Sequence, residues 1–144
     1  MLEYLPPVFT ATAVIFAVLS IFTGAQGIFD PVGFATSFGL PLDYSNIGKS
    51  FTTASGPEKK SQDTTLSYIS LMSVRQLFTG IILGVFAYQN KWTEVATMLA
   101  VMGFLVAGTD GVFIYHSGKT KGAVFHALPG AVIAGLAIAF LLID

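Results

Sequence analysis

The sequence predicts an all-α membrane protein, a bundle of four transmembrane helices with a long polar loop between the first two. Hydrophobic residues make up 53% of the chain and charged residues only 10%, whereas soluble domains carry about 25% charged residues. Four apolar runs are each long enough to cross a bilayer, which takes about 20 residues. With 144 residues, the chain is expected to form a single domain, 1–144, too small to bury this much apolar side chain in water.

The first span is predicted at about 8–29, a run without charged residues. Pro6 and Pro7 suit the first turn of a helix, where no N–H donor is needed. A signal peptide is the competing interpretation, but the acidic Glu3 stands where a signal peptide carries basic residues. We therefore expect a membrane span.

A polar connection is predicted over 30–65, because glycine, proline and charged residues recur along it. Its beginning, 32–38, is apolar. We expect this segment to lie along the membrane interface or to fold back over the bundle. Whether the connection also serves as a lid over a site is an open alternative.

The remaining spans are predicted at about 66–88, 93–116 and 122–143, joined by short polar turns. Lysines are concentrated in 30–65 and 117–121, whereas the opposite side carries only Lys91. The positive-inside rule then places the long loop in the cytoplasm and both termini outside or in a lumen.

Small residues recur at helical spacing within three of the spans. These are Gly80 and Gly84 in the second, Gly103, Ala107 and Gly111 in the third, and Gly130 and Ala134 in the fourth. Such stripes let helix backbones approach closely, although they are common in membrane proteins. They predict tight helix packing and carry no chemical information.

Four ionisable side chains in the spans or at their ends fall in the predicted cytoplasmic half. Arg75 lies about 14 Å into the second span, Asp110 about 9 Å before the end of the third, and His126 about 6 Å into the fourth. Asp30 ends the first. An arginine or aspartate at mid-helix costs about 2.5–3.5 kcal/mol, so we expect these groups to line a polar pocket. The predicted substrate-binding residues of that pocket are Gln26, Tyr68, Met72 and Tyr115.

These groups can perform acid–base chemistry without a cofactor. We expect Asp110 to act as the base, Arg75 to orient it, and Asp30 or His126 to donate a proton. The chemistry is similar to that of limonene-epoxide hydrolase, a soluble protein of unrelated fold. It suits the opening of an epoxide, by water or by an internal hydroxyl group to give a cyclic ether. A structural ion pair between Arg75 and Asp110 is the alternative interpretation.

Other functions remain open. The same groups would serve an isomerase or cyclase of a polyketide or terpenoid, and a non-enzymatic structural or lipid-binding protein would need none of this chemistry. No metal is expected, because the chain has no cysteine and its two histidines and scattered carboxylates lack ligand spacing. No cofactor is expected, because no nucleotide-binding or haem motif appears in the sequence. The expected partners are a lipophilic small molecule and membrane lipid, with a second copy of the chain as a further candidate. A net charge of −1 gives no reason to expect nucleic acid.

The order of several short motifs along nearly the whole chain carries a family resemblance. They are Asp30–Pro41, Val74–Gly80, Asp110–Gly111, His116–Gly118 and Phe125–Ala127. In this order the chain resembles a family of small fungal membrane proteins with four predicted helices, catalogued as a domain of unknown function. The resemblance implies a fungal source, an endomembrane location such as the endoplasmic reticulum, and an association with secondary-metabolite pathways.

Overall fold

The computed structural model describes residues 2–37, 57–116 and 120–143, and all regular structure in these ranges is helical. A short 3₁₀ turn, Leu2–Tyr4, precedes five α-helices within the described ranges. They are α1 (Leu5–Phe29), α2 (Pro31–Ser37), α3 (Pro57–Tyr88), α4 (Trp92–His116) and α5 (Thr120–Leu141). The predicted all-α class is confirmed. The chain divides into two compact units, one of Ala17–Ile82 and the other of Met1–Phe16 with Leu83–Asp144.

Two helices are long and apolar enough to cross a membrane. These segments are Leu5–Phe29 and Thr64–Tyr88, with 25 residues each, or about 38 Å at 1.5 Å per residue. A hydrocarbon core is about 30 Å thick. Only 28% and 22% of their most apolar stretches are buried, whereas the core helix of a soluble protein is mostly buried. Shorter apolar stretches, Trp92–Val106 and Ala127–Leu141, lie within α4 and α5.

The predicted polar connection contains helical structure at both ends. At its start, Pro31–Ser37 forms α2. The ring of Phe34 lies 3.3 Å from the point where a Cβ on Gly27 would stand. Phe34 of α2 thus reaches the end of α1. The expected placement of this segment, along the membrane interface or over the bundle, stays a prediction.

The other end of the connection belongs to α3, which begins at Pro57 rather than near residue 66. Proline suits the first turn of a helix, and glutamate and lysine are good helix formers, so the polar start of α3 has the local preferences of a helix. Apolarity marks the part of α3 that can enter lipid, and the helix extends beyond it. The bounds of α4 and α5 lie within two residues of those predicted.

The turn between α3 and α4 is closed by its own backbone. The N–H of Asn90 donates to the carbonyl of Ala87 (3.0 Å), and that of Lys91 to Phe86 (2.9 Å). This pair of bonds is a Schellman motif. It needs a left-handed residue, and Asn90 has a φ of 56°. The first helical residue of α4, Trp92, follows directly after this turn.

Within the 17–82 unit, α1 and α3 pack through glycine. A Cβ on Gly24 would lie 2.5 Å from the backbone nitrogen of Leu77, and one on Gly80 would lie 2.7 Å from the carbonyl oxygen of Ala17. One on Gly27 would overlap the hydroxyl group of Ser73. Residue numbers rise along α1 as they fall along α3, so the helices are antiparallel and their backbones touch.

The predicted small-residue stripes have mixed outcomes. Gly80 makes a close contact, whereas Gly84 has no described atom within 4 Å of its Cβ position. In the other unit, a Cβ on Gly103 would lie 2.5 Å from the carbonyl oxygen of Gly130 and 2.8 Å from the Cβ of Ala134, which confirms the predicted packing of these two helices. The side chains of Ala107 and Gly111 lie outside the described residues.

Candidate functional site

Three polar side chains are satisfied inside the α1–α3 contact. The Nε2 group of Gln76 donates to the hydroxyl oxygen of Ser20 (3.1 Å), and the hydroxyl group of Ser73 donates to the carbonyl of Ile69 (2.7 Å). Both serines are buried. They were not predicted, because a lone serine in an apolar run gives no distinctive signal. The bond from Gln76 to Ser20 joins α3 to α1, whereas that of Ser73 lies within α3.

Arg75 points away from this contact. It follows Ser73 by two positions and precedes Gln76, so at 3.6 residues per turn its side chain leaves α3 in another direction. Arg75 is exposed, and its Nη1 lies 3.9 Å from the thioether sulfur of Met72. Among the side chains that the structure describes, no carboxylate forms an ion pair with it. A full positive charge therefore stands on the outside of an apolar helix.

The neighbours of Arg75 form one apolar face. Tyr68, Met72 and Phe78 are 64%, 52% and 63% exposed, and Leu71 is exposed between them. The predicted grouping of Tyr68, Met72 and Arg75 on one helix face is correct, since positions three, four and seven residues apart share a face. We refer to Tyr68, Leu71, Met72, Arg75 and Phe78 as the Arg75 face.

The depth of Arg75 is notable because it lies near the middle of a candidate span. The apolar segment of α3 is Thr64–Tyr88, and Arg75 lies about 16 Å from its start at 1.5 Å per residue. Half of a hydrocarbon core is about 15 Å. In a helix that crosses a bilayer, the Cα of Arg75 would lie near the midplane.

Asp30 has a structural role at the junction of α1 and α2. Its backbone N–H donates to the carbonyl of Gln26 (2.7 Å), and its own carbonyl accepts from Phe34 (2.9 Å). Its carboxylate accepts a hydrogen bond from the N–H of Gly33 (2.8 Å). This is the geometry of a helix N-cap. Asp30 is exposed and Gln26 is half-buried, and neither is bonded to Arg75 in the described contacts.

For the other predicted site residues, the structure describes only the helix to which each belongs. Asp110 and Tyr115 belong to α4 and His126 to α5, but their side chains lie outside those that the structure describes. Their convergence with Arg75 remains a prediction. Pro129 lies inside α5, where it removes a helical donor one turn after His126. It was not singled out from the sequence, although an internal proline is a visible signal.

A shallow, open depression lies in the unit that contains the α3–α4 turn. It is lined by Phe86, Thr93, Glu94, Thr97 and Met98. The ammonium group of Lys91 lies 6.0 Å from the centre of the Phe86 ring. Among the described residues, no group of three or more histidine and carboxylate side chains could hold a metal ion.

Comparisons with known proteins bear on the whole chain. Neither the curated proteins nor the solved structures contain a match. A protein-family model described as "Domain of unknown function (DUF4267)" matches residues 17–141, which include α2 to α5 and the second half of α1. The chain belongs to this family.

Proposed function

We propose that the chain is a four-span integral membrane enzyme that uses acid–base chemistry on a lipophilic small molecule. Besides the two candidate spans, α4 and α5 contain 25 and 22 residues, or about 38 and 33 Å. Each exceeds the thickness of a hydrocarbon core of about 30 Å. The tight backbone approach at Gly103 supports α4 and α5 as a second pair of spans.

The proposed setting is the endoplasmic reticulum of a fungus, in a secondary-metabolite pathway, with the 30–65 segment in the cytoplasm and both termini in the lumen. The lysine distribution supports the orientation. The order of motifs that resembles fungal membrane proteins supports the setting.

Single cysteines can test this topology because the natural chain has none. Ser50→Cys and Asn90→Cys lie on either side of α3. In intact microsomes, a membrane-impermeant maleimide should label the Ser50→Cys variant, and it should label the Asn90→Cys variant only after detergent is added. The reverse pattern would overturn the orientation. Labelling of both variants without detergent would show that α3 does not span.

The exposed guanidinium of Arg75 at mid-span is the observation that carries the proposed chemistry. A charge there is costly and marks a functional site by default. In the proposed step, the carboxylate of Asp110 takes a proton from water, and the water oxygen bonds to an epoxide carbon. The carbon–oxygen bond of the epoxide breaks, and the leaving oxygen takes a proton from a donor. An internal hydroxyl group in place of water gives a cyclic ether.

His126 is the better proposed donor of the two. The carboxylate of Asp30 already caps α2 through Gly33, so a proton on it would weaken that bond. Arg75 would orient Asp110, while Gln26, Tyr68, Met72 and Tyr115 would contact the substrate. An isomerase or cyclase would use the same groups on an alkene.

A structural or lipid-binding protein is the second candidate. The α1–α3 contact favours it, since close glycine packing and an interhelical hydrogen bond stabilise a helix pair without any catalytic role. Arg75 would then serve only to pair with Asp110 and fix the register of two helices.

The experiment uses purified protein in nanodiscs and a panel of lipophilic epoxides with and without an internal hydroxyl group. Turnover in H₂¹⁸O is followed by mass spectrometry for labelled diol or cyclic ether. The variants are Arg75→Met, Asp110→Asn and their double, with Lys91→Met as the control for loss of a cation outside the span. The enzyme hypothesis expects folded single variants without product and a fully active control.

Two results would count against this function. If each single variant fails to fold and the double variant recovers, Arg75 and Asp110 form a structural pair. If the natural protein forms neither diol nor cyclic ether above the protein-free rate with any member of the panel, epoxide opening is rejected.

A further inference from the structure

The guanidinium group on the Arg75 face has more hydrogen-bond donors than one carboxylate inside the protein would engage. A guanidinium group has five N–H donors and does not lose its proton in proteins. A carboxylate such as that of Asp110 in the proposed function binds one edge of the group through two of these donors. The contact of Nη1 with Met72 at 3.9 Å is a weak one. Donors on a second edge remain for an anion.

The surroundings of the charge favour an amphiphile. The Arg75 face offers an aromatic ring on either side of the guanidinium group, Tyr68 about 10 Å towards the start of α3 and Phe78 about 5 Å beyond it. Leu71 and Met72 fill the space between them on the same face, and all four side chains are largely exposed. An elongated apolar molecule with one anionic group matches this pattern of charge and apolar surface.

The depth of Arg75 distinguishes between two sources of such an anion, the phosphate of a membrane lipid and a carboxylic acid. The phosphate of a membrane lipid stays in the headgroup region, about 15 Å or more from the midplane. A carboxylic acid can enter the apolar region in its neutral form, because a group that is expensive to bury as an ion neutralises instead. It can then ionise beside the guanidinium group. A carboxylate therefore fits a site at mid-span, and a lipid phosphate does not.

We propose that Arg75 binds the carboxylate of a lipophilic carboxylic acid whose apolar body lies along the Arg75 face. The inference rests on the proposed function and names its substrate class: an acid that carries the reacting group elsewhere on its carbon skeleton. Two-point attachment, at the carboxylate and along the apolar face, would hold that skeleton in one orientation for the acid–base groups.

Binding of a fluorescent fatty acid tests the proposal without any turnover. The probe is cis-parinaric acid, compared with its methyl ester, and the protein is held in nanodiscs of phosphatidylcholine. The acid should bind about tenfold or more tightly than the ester, the size expected for hydrogen bonds to a charged group. Arg75→Met should remove this preference, Arg75→Lys should keep part of it, and the matched control Lys91→Met should keep all of it.

Three results would overturn the inference: equal affinity for acid and ester, an unchanged preference in Arg75→Met, or displacement of the acid by phosphatidylglycerol in the nanodisc. The last would identify a lipid phosphate as the partner. If the proposed function fails instead, no labelled product forms while the preference for the acid persists. An active enzyme without the acid preference would reject the inference alone.

Discussion

Replacing Gly24 with alanine tests whether the backbones of α1 and α3 touch. The added Cβ would lie 2.5 Å from the nitrogen and 2.7 Å from the Cα of Leu77. These are backbone atoms of a helix, so they cannot rotate away as a flexible side chain could. Overpacking of this kind costs about 1–3 kcal/mol. The helices must move apart or bend to admit one methyl group.

The matched control is Gly84→Ala, because the Cβ position of Gly84 meets no described atom within 4 Å. Alanine is favoured over glycine in helices by about 1 kcal/mol, and this gain is common to both substitutions. The difference in free energy of unfolding between the two variants then isolates the clash, at about 1–3 kcal/mol. Gly84→Ala should be as stable as the natural protein or more stable.

Equilibrium unfolding in mixed micelles with increasing dodecyl sulfate measures this difference, with helix content followed by circular dichroism. The midpoint of Gly24→Ala should fall below that of Gly84→Ala. Equal midpoints would refute the contact between Gly24 and Leu77, and with it the close antiparallel pair.

Three further predictions concern the same unfolding assay. In a double-mutant cycle, Gln76→Leu and Ser20→Ala should show a coupling free energy of about 0.6 kcal/mol and no more than about 1.7. The reason is that one hydrogen bond of 3.1 Å joins the two side chains. Purely additive effects would exclude that bond. Asp30→Ala should destabilise the protein by about 0.5–2 kcal/mol through loss of the α2 cap, whereas Asp30→Asn should not; equal losses in both would contradict a capping role. Phe9→Ala should lower the unfolding midpoint, because the ring of Phe9 is buried and stacked at 4.5 Å on a second phenylalanine. The control is Phe29→Ala, at an exposed position, which should leave the midpoint unchanged.

The lengths of the apolar runs predicted where most of the helices lie but not how they pack. Apolar runs located α1, α4 and α5 to within a few residues, since lipid or a core must cover such runs. The start of α3 at Pro57 was missed because charged helix formers carry no apolar signal. The contacts at Gly24 and Gly27 were also missed, because i, i+3 glycines do not stand out in a sequence with 15 glycines. Which glycine meets a neighbour depends on how each helix is rotated, and sequence spacing does not fix that angle.

In the candidate site, too, features set by neighbouring residues can be predicted from the sequence, whereas contacts between distant segments cannot. The common face of Tyr68, Met72 and Arg75 follows from helical spacing and was predicted. The capping bond of Asp30 is also local, since the motif Asp30–Pro31–Val32–Gly33 places a carboxylate beside the N–H three residues on. The sequence predicted Asp30 as the cap at the end of α1 or a turn residue, and its role as N-cap of α2 was missed because the following segment was treated as a loop. The proposed approach of Asp110 to Arg75 joins distant segments, so it depends on helix rotation and stays a prediction.

The closed turn at Asn90 has a consequence for how the chain is made. Three residues separate α3 from α4, and the carbonyls at the end of α3 that would otherwise stay open are bonded within the turn. The end of α3, the turn and the start of α4 can therefore form locally in a nascent chain, before the rest of the protein emerges. If α3 crosses a bilayer, the turn carries across the amide groups of Gln89 and Asn90 and the single charge of Lys91. We expect this turn to form as one early step of synthesis, independent of the long segment that precedes α3.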